Sequence, residues 1–340
     1  MPFIITNNAL WDNLLAHTEY DIYHLPEYTE LQAEHTKGQA IAWYSSVNGK
    51  EVIIPLVKRK ICDIKKSQSG CPDLFDLQSP YGYSGLLCDG TLSSIEINEL
   101  LKKYQKEANE NGFISSYIRL NPFINKWNIQ ETAEISQCYQ GKIVVLSLKD
   151  GEPPALCENH KRDIRRLKNS GFTSIINKPD TLPDFIKSYH QLMKSYKTDR
   201  FYFFSPEYFH KLLLMPGGKN ILITVVSPNG EYAGAGIFSL YGQVMQYHYG
   251  STAEQFRKMS PSKMVIDSAI EIGRHAGAAY LNLGGGFKSS NNTGLYRFKK
   301  GFNRRGIPYD YYSLRFIHSP NIYESLPKMR NDFFPSYRDH

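Results

Sequence analysis

The feature that most constrains this chain is a pattern of helices and strands that occurs twice. In each half, helices precede two β-rich segments joined by an Asn-Gly turn, and a further helix and strand follow. The paired segments are 40–47 with 51–58 across Asn48-Gly49, and 221–227 with 232–240 across Asn229-Gly230. Asn-Gly between β-rich segments is a strong short-range signal for a hairpin. The pattern therefore predicts an α/β protein with mixed α+β sheets, built from two similar halves.

The length of the chain agrees with two domains. It has 340 residues, more than the roughly 100–200 residues of one ordinary domain. A polar stretch at 151–159 that contains two prolines separates the halves. We predict an N-terminal domain at 1–150, a C-terminal domain at 151–320 that carries the chemistry, and a C-terminal tail at 321–340.

Composition excludes several classes of protein. Hydrophobic residues make up 41% of the chain and charged residues 21%, which is typical of a globular protein and not of a disordered one. The five cysteines are scattered, with no CxxC pair, so neither a disulfide framework nor a metal site is expected. No apolar run approaches the roughly 18 residues that span a bilayer, and the N-terminus lacks a charged and apolar leader. We expect a cytoplasmic protein with no transmembrane segment and, at most, peripheral contact with a membrane.

The positive charge of the chain is clustered. The formal net charge is +7, and much of the positive charge lies at 58–60, 161–168 and 297–305. In the second cluster, Lys161 and Arg165 lie on one stripe of a predicted helix. Such a stripe suits a phosphate-bearing partner, such as a nucleotide-linked sugar, a lipid pyrophosphate or tRNA; alternatively it is a solvated face. Binding to DNA is not expected.

The strongest site signal lies late in the second half. A predicted strand ends in Gly284-Gly285-Gly286, and a segment rich in aromatic and cationic residues follows at 296–302. Glycines let the backbone approach a ligand closely, and consecutive amides beside positive charge favour a polar or anionic ligand. We therefore expect this region to form a site and not only a core.

Six segments carry a resemblance to a known family. They are residues 160–166, 202–205, 247–252, 260–262, 283–286 and 298–302. In this order and spacing, the second half resembles the GNAT acyltransferase superfamily. From about residue 10 to residue 315, the chain resembles the tandem version of that fold, the Fem-type (FemAB-like) peptidoglycan bridge aminoacyltransferases and the BioF2-like acetyltransferases. The resemblance implies two tandem GNAT-like (acyl-CoA N-acyltransferase) domains that share a cleft.

The resemblance also implies an enzyme that transfers an acyl group to an amine. The co-substrate would be acyl-CoA or an aminoacyl-tRNA, with no tightly bound cofactor. The acceptor would be an amine of a cell-envelope, peptidoglycan or surface-polysaccharide precursor. Residues 257–263, which match the phosphate-binding loop of CoA-dependent members, contain no glycine. Because of this departure, a second interpretation is a non-catalytic GNAT-fold module that binds a phosphorylated ligand or RNA.

Candidate catalytic residues follow from the same resemblance. Phe298 and Lys299 match the Phe-Lys pair of an FKxxF motif, which implies that Lys299 lies near the transferred group and stabilises an oxyanion or a phosphate. Alternatively, Lys299 is a surface lysine. Strand alternation predicts that His248 faces away from both Tyr247 and Tyr249. Either His248 takes the amine proton, or Tyr249 protonates the leaving group, and the other residue packs in the core.

The remaining candidates bind the two substrates. Donor-binding candidates are Gly284, Gly285, Gly286, Arg257, Ser260, Ser262 and Lys263, and acceptor or phosphate-binding candidates are Arg200, Lys161, Arg165 and Arg297. Arg200 matches an arginine that some family members use on acceptor phosphates. The segment Pro26-Glu27-Tyr28 matches a further acceptor motif, but it lacks the lysine that phosphate-binding members place within about one helical turn. The identity of the acceptor therefore stays open.

Overall fold

The computed structural model describes residues 2–61, 73–151, 154–286, 293–304, 306, 308–330 and 333–338. The chain forms two compact units: unit 1 comprises Met1–Gln140 and Tyr311–His340, and unit 2 comprises Gly141–Asp310. These bounds differ from the predicted division at 150 and 320. The chain passes from one unit to the other inside two β-strands, and not within the polar stretch at 151–159.

Unit 1 is a mixed sheet with helices. Its strands are β1 (Phe3–Ile5), β2 (Gln39–Val47), β3 (Lys50–Lys60), β4 (Phe75–Gln78), β5 (Leu87–Cys88), β6 (Phe113–Arg119) and most of β13 (Tyr309–Ile317). Its helices are α1 (Ala9–His17), α2 (Pro26–Thr36), α3 (Ser94–Glu110) and α9 (Pro320–Ser325). The strand order is β1-β2-β3-β4-β6-β13, with β5 paired to β3. The first predicted hairpin is confirmed, because β2 and β3 pair antiparallel across Asn48-Gly49.

Helix α3 shows how local sequence signals build unit 1. The Ser93 hydroxyl accepts from the Glu96 N–H, and the Glu96 carboxylate accepts from the Ser93 N–H, which together form a capping box. Ile97, Leu101 and Tyr104 recur at helical spacing and are buried against the sheet. Burying side chains of this size contributes roughly 1.5–3 kcal/mol each.

The C-terminal segment returns to unit 1. The Tyr337 hydroxyl donates to Asp76 Oδ2 at 3.1 Å, and Arg338 Nε lies 2.5 Å from the same oxygen. Arg59 Nε donates to Asp76 Oδ1 at 2.9 Å. Although burial alone would raise the pKa of Asp76, the charges of Arg59 and Arg338 hold that pKa below its usual range. Tyr337 and Arg338 are thus attached to β3 and β4.

Unit 2 is a second mixed sheet with helices on both faces. Its strands are the later part of β7 (Ile135–Ser147), β8 (Thr173–Ile176), β9 (Asn220–Val226), β10 (Tyr232–Tyr241), β11 (Val244–Thr252) and β12 (Tyr280–Gly284). Its helices are α4 (Glu158–Asn169), α5 (Leu182–Ser195), α6 (Pro206–Leu213), α7 (Ser262–His275) and α8 (Gly294–Lys300). The order is β7-β12-β11-β10-β9-β8, and β11 and β12 are parallel. The second predicted hairpin is confirmed by the antiparallel pairing of β9 and β10.

The helices of unit 2 divide between the two faces of its sheet. Helices α4 and α7 pack on one face, in the cluster that contains Phe238 and Val265. Helices α5 and α6 pack on the other face, where Phe185, Tyr189 and Phe209 surround Tyr249. None of the helices in the described part of the chain is both long and apolar enough to cross a bilayer.

The start of α4 corrects one expectation. The two prolines at 153–154 predict a helix that begins there, whereas α4 begins at Glu158; Pro153 itself lies outside the described residues. The backbone before α4 has other partners. The Ala155 carbonyl accepts from the Arg304 N–H at 3.0 Å, and the Cys157 N–H donates to the Gly301 carbonyl at 2.7 Å. Because the Ala155 carbonyl and the Cys157 N–H bind residues of a distant segment, they do not form hydrogen bonds within a helix.

Candidate active site

The candidate site of unit 2 lies where two parallel strands part. Strands β11 and β12 pair from Val244 opposite Tyr280 to Gln246 opposite Asn282. The side chains of Gln246 and Asn282 share a hydrogen bond of 2.8 Å at this last pair. Beyond it, β11 continues alongside β10, whereas Gly284 of β12 pairs with β7. The carboxyl ends of parallel strands that part in this way commonly bind ligands.

The glycine turn at the end of β12 reaches Lys299. Gly284 has a φ of 72°, a left-handed conformation that glycine adopts without strain. Its N–H donates to Asn282 Oδ1 at 2.8 Å. The next residue, Gly285, presents its carbonyl oxygen to Lys299 Nζ at 2.8 Å, and Gly286 follows, partly buried. The structure therefore brings the glycine turn and the predicted catalytic lysine into direct contact.

Lys299 lies in the last turn of α8. The Thr293 hydroxyl caps the start of this helix by accepting from the Tyr296 N–H at 3.2 Å. The Lys299 residue is 8% exposed, and its Nζ lies 5.9 Å from the centroid of the Tyr247 ring. Because burial disfavours the ammonium form, the pKa of Lys299 is lowered to about 8. A buried lysine that is still largely protonated at neutral pH is suited to stabilise negative charge that develops beside it.

Phe298 and Phe302 enclose the imidazole of His160. Their ring centroids lie 5.4 and 4.4 Å from that of His160. His160 Nε2 lies 2.9 Å from the carbonyl oxygen of Phe298. Since a carbonyl oxygen can only accept, the chemistry of the pair assigns the proton to Nε2. This hydrogen bond attaches α4 to α8 at Phe298, the residue that precedes Lys299.

A β-bulge at His248 separates the two tyrosines of β11. The ladder passes from Ile237 opposite Tyr249 directly to Phe238 opposite Tyr247, so that His248 is the extra residue of β11. Tyr247 stacks on Phe238, on the face that α7 covers. Tyr249 packs on the other face, under α5 and α6. The prediction that both tyrosines share one face is therefore wrong, because alternation holds only for a regular strand.

His248 and Tyr249 both bind neighbouring hydroxyl groups. His248 Nε2 lies 2.7 Å from Ser239 Oγ, and burial lowers the pKa of this imidazole to about 3. The hydroxyl of Tyr249 lies 2.9 Å from that of Tyr208, inside the aromatic cluster of α5 and α6. His248 is therefore neutral at physiological pH and a weak base, and the surroundings of Tyr249 are those of a core residue.

Two of the predicted donor-binding residues lie at the start of α7. Ser260 has a left-handed backbone with a φ of 58°, and Ser262 is the first residue of the helix. Pro261 occupies the N-cap position, and no side chain caps the helix. Two of the first amides of α7 already have partners in the backbone, because the Lys263 N–H donates to the Ser260 carbonyl at 3.0 Å and the Met264 N–H to the Pro261 carbonyl at 2.9 Å. What the helix start offers an anionic group is therefore mainly the positive end of its dipole.

Arg257 and Lys263 have acidic partners of their own. Arg257 is exposed, and its Nη2 lies 2.6 Å from Glu254 Oε2. Lys263 is buried, and its Nζ lies 2.6 Å from Asp163 Oδ2. The Lys263 charge is therefore already paired with α4, and this lysine connects two helices instead of facing a donor phosphate.

The predicted acceptor-binding cations lie on the surface of unit 2. Arg165 and Arg297 are exposed on α4 and α8, and Arg200 is exposed in the short helix Arg200–Tyr202. Lys161 is exposed and pairs with Glu158 at 2.9 Å. The structure places these four cations outside the contact between Lys299 and Gly285.

Two residues of this region were not predicted as functional. His160 and Asp163 lie on the buried stripe of α4 together with Ile164 and Leu167. The spacing i, i+3, i+4 and i+7 is the sequence signal that could have identified them. A titratable residue on an apolar helix stripe requires a buried partner, and here the partners are the Phe298 carbonyl and Lys263.

Comparison with known families agrees with this geometry. Residues 156–300 match the family described as an acetyltransferase (GNAT) domain. The matched segment includes α4, α7, α8 and the strands β8 to β12, and hence the contact between Lys299 and Gly285. No curated protein sequence matches the chain.

Several solved structures are similar to the whole chain. The crystal structure of FemX has 14% sequence identity and a TM-score of 0.66, with 96% of this chain and 99% of that chain covered. The C-terminal domain of a putative lysylphosphatidylglycerol synthetase from Agrobacterium fabrum has 13% identity and a TM-score of 0.55, with 92% of each chain covered. L-PGS from Bacillus licheniformis has 13% identity and a TM-score of 0.53, with 89% of this chain and 93% of that chain covered. At these identities the similarity establishes the fold. The chain therefore has a Fem-like GNAT fold, and its residues 156–300 are similar to a GNAT acetyltransferase domain.

Proposed function

We propose that this protein is an N-acyltransferase that moves an acyl group onto the amine of a cell-envelope precursor. One observation carries the proposal: Lys299 Nζ is bound to the Gly285 carbonyl at 2.8 Å, beside the point where β11 and β12 part. This contact joins a buried cation to a glycine turn within a GNAT acetyltransferase domain. Such an arrangement suits a reaction in which a carbonyl oxygen gains negative charge.

In the proposed reaction, the acceptor nitrogen attacks the carbonyl carbon of a donor thioester. The C–N bond forms and the C–S bond breaks, while the nitrogen releases a proton to solvent and the departing thiolate takes one from solvent. An ammonium group has three N–H donors, and the Gly285 carbonyl accepts one of those of Lys299. Another donor of Lys299 stabilises the oxyanion of the tetrahedral intermediate, with Phe298 packing beside it. Neither His248 nor Tyr249 is assigned a proton-transfer step.

Acyl-CoA is the donor that the helices of unit 2 favour. No side chain caps the start of α7, and the positive end of its helix dipole favours an anionic group such as a pyrophosphate. An aminoacyl-tRNA would instead require a broad basic surface. Several cations of α4 lie beside acids, as with Lys168 and Asp267 at 2.7 Å, and such pairs reduce the positive potential of the helix.

The proposed acceptor class rests on the similar structures. They include FemX, L-PGS and the C-terminal domain of a putative lysylphosphatidylglycerol synthetase, a name that describes an aminoacylated lipid. The exposed guanidinium groups of Arg165, Arg200 and Arg297 would serve the phosphates of such an acceptor. The acceptors to compare are therefore a peptidoglycan precursor, a surface-polysaccharide precursor and an amine-bearing phospholipid.

A transfer assay with separated donors and acceptors tests the proposal. Labelled acetyl-CoA or charged tRNA is incubated with the protein and with a UDP-linked muramyl peptide, an amino-sugar nucleotide or phosphatidylethanolamine vesicles, and the products are identified by mass spectrometry. We expect transfer from acetyl-CoA that is lost in the K299M variant. Thermal denaturation measures donor binding separately, because a ligand at 100 times its Kd stabilises by about 2.7 kcal/mol.

The other outcomes of this assay are equally informative. Transfer from charged tRNA alone would keep the enzyme class and change the donor. Stabilisation by a phosphorylated ligand or RNA with no transfer from either donor would contradict the proposal and support a non-catalytic binding module.

A further inference from the structure

The end of α8 is held by the start of α4. A helix leaves its last carbonyls without donors from within the helix. Here the Phe298 carbonyl accepts from the Gly301 N–H at 3.1 Å and from His160 Nε2 at 2.9 Å. The Gly301 carbonyl accepts from the Cys157 N–H at 2.7 Å. Two hydrogen bonds from α4 and its N-cap therefore bind the residues on either side of Lys299 in the sequence.

The position of the His160 imidazole explains why residue 301 is a glycine. Its φ is −59°, a value that any residue adopts, so backbone conformation does not require glycine. A Cβ atom at this position would lie 2.4 Å from His160 Nε2, closer than real Cβ contacts. The imidazole and the glycine thus form one fitted contact, which lets the ring nitrogen reach the Phe298 carbonyl.

Burying the polar imidazole of His160 at this position costs free energy. The residue is buried, and burial followed by the nearby Lys263 charge lowers its pKa, so that the ring is neutral. In the part of the chain that the structure describes, its buried Nδ1 has no hydrogen-bond partner. Leaving such an atom unsatisfied costs about 1–3 kcal/mol. A phenylalanine would fill the space between Phe298 and Phe302 without this cost, so the benefit of histidine lies in the Nε2–H donor.

We propose that His160 is a positioning residue for acyl transfer: by holding the Phe298 carbonyl, it directs Lys299 toward the Gly285 carbonyl and the reacting group. The inference rests on the proposed function and names a residue that does not itself touch the substrate. Lys299 is the residue that directly follows Phe298, so a shift of the Phe298 carbonyl moves the base of the lysine side chain. A misplacement of about 1 Å can reduce a rate on the order of 100-fold.

Four variants separate the donor of His160 from its packing. H160F keeps a ring between Phe298 and Phe302 but removes the N–H donor, whereas H160Q keeps an N–H donor. G301A places a methyl group against the imidazole and displaces it by another route. The matched control is His190 of α5, whose Nε2 lies 2.8 Å from the Phe204 carbonyl, a bond of the same kind in the same unit; H190F removes it.

Two readouts are measured on folded protein, with thermal denaturation as the check of folding. We expect kcat to fall about 10-fold to 100-fold in H160F and G301A with the donor KM unchanged. H160Q and H190F should stay close to the wild-type rate. The second readout does not require turnover: competitive labelling of lysines with acetic anhydride over a pH series, followed by mass spectrometry, reports the pKa of Lys299. We expect about 8 in the wild type and in H160Q, and a shift toward 10.5 in H160F.

These readouts distinguish the positioning role from mere stability and from failure of the proposed function. Loss of stability in H160F and G301A with kcat and Lys299 labelling unchanged would overturn the positioning role. So would an equal fall of kcat in H160Q, since that variant keeps the donor. If H160F does not fold, G301A and H160Q decide the question. If the wild type transfers no acyl group but Lys299 labelling still depends on His160, the proposed function fails, while the positioning of Lys299 by His160 stands.

Discussion

Each unit buries positive charge, and the two units pair that charge differently. In unit 1, Arg59 and Arg338 both bind the carboxylate of Asp76, and Tyr337 donates to it as well. In unit 2, Lys299 binds a neutral carbonyl oxygen, and burial lowers its pKa to about 8. A buried charge paired with a carboxylate cannot lose that partner without a large loss of stability, whereas a buried charge without such a partner is typical of a functional site. The comparison thus separates the structural cluster around Asp76 from the proposed active site around Lys299.

Unit 2 also contains the structural kind of pairing. Lys263 is buried on α7 and bound to Asp163 of α4 at 2.6 Å. Although burial alone would raise the pKa of Asp163, the Lys263 hydrogen bond and charge hold that pKa below its usual range. The contrast is therefore between sites and not between units. Lys263 and Lys299 are both buried lysines of unit 2, and the one with the carbonyl partner lies at the glycine turn.

The largest effect is expected from removing the carboxylate of unit 1. D76A leaves the buried Arg59 and the partly buried Arg338 without their common partner, so the free energy of unfolding should fall by about 3–5 kcal/mol. Urea denaturation measures this loss. The matched control is D73A: Asp73 pairs with Lys60 at 2.6 Å, but both side chains are more than half exposed. That pair should contribute about 1 kcal/mol or less. Equal losses in the two variants would show that burial does not make the Asp76 cluster special.

The next effect concerns activity and not stability. K299M removes the buried cation and keeps most of the side-chain volume, so kcat/KM should fall by about 100-fold to 1000-fold. The free energy of unfolding should stay the same or rise by up to about 2 kcal/mol, because the cost of burying a charge disappears. K300M, which changes the exposed neighbour, should alter neither quantity. A loss of stability in K299M as large as that in D76A would place Lys299 among the structural cations.

The pH dependence of the same lysine gives a third test. Its pKa is lowered from 10.5 to about 8, so between these values the unfolded chain binds more protons than the folded one. The Lys299 contribution to stability therefore rises as pH increases through this interval, by roughly 3 kcal/mol in total. Transfer should change in the opposite direction and decline above about pH 8, since the proposed role needs the ammonium form. Unfolding and kcat are measured from pH 6 to pH 10 in the wild type and in K299R, where the decline should vanish. A decline that persists in K299R would belong to another group.

The sequence predicts most of the architecture, because local signals determine it. Both hairpins follow from their Asn-Gly turns, and α3 begins at its capping box. The predicted domain boundaries at 150 and 320 differ from those of the structure, where the chain passes between the units within β7 and β13. A strand that continues from one unit into the other leaves no polar or flexible stretch to mark the boundary.

The candidate site is only partly accessible to sequence reasoning. Lys299 and Gly285 are only 14 positions apart in the sequence, so their contact could be expected from the motif. The pairing of Lys263 with Asp163 joins residues 100 positions apart, and no local pattern reports such a contact. The bulge at His248 is equally hidden, because the extra residue is defined by the register of β10. Tyr247 thereby replaces Tyr249 as the tyrosine beside Lys299.

The smallest expected effect tests whether Tyr249 is a core residue or takes part in the reaction. Y249F removes one member of the hydroxyl pair with Tyr208 at 2.9 Å, and it should lower the free energy of unfolding by about 1 kcal/mol. Y208F removes the same hydrogen bond from the other side, so the double variant should lose little more than either single one. Because both hydroxyls lie in the aromatic cluster under α5 and α6, all three variants should transfer acyl groups at close to the wild-type rate. If Tyr249 instead protonates the leaving group, Y249F alone should lose about 100-fold or more in kcat while Y208F keeps its rate. That result would return Tyr249 to the active site and show that the packing seen around it is not its main role.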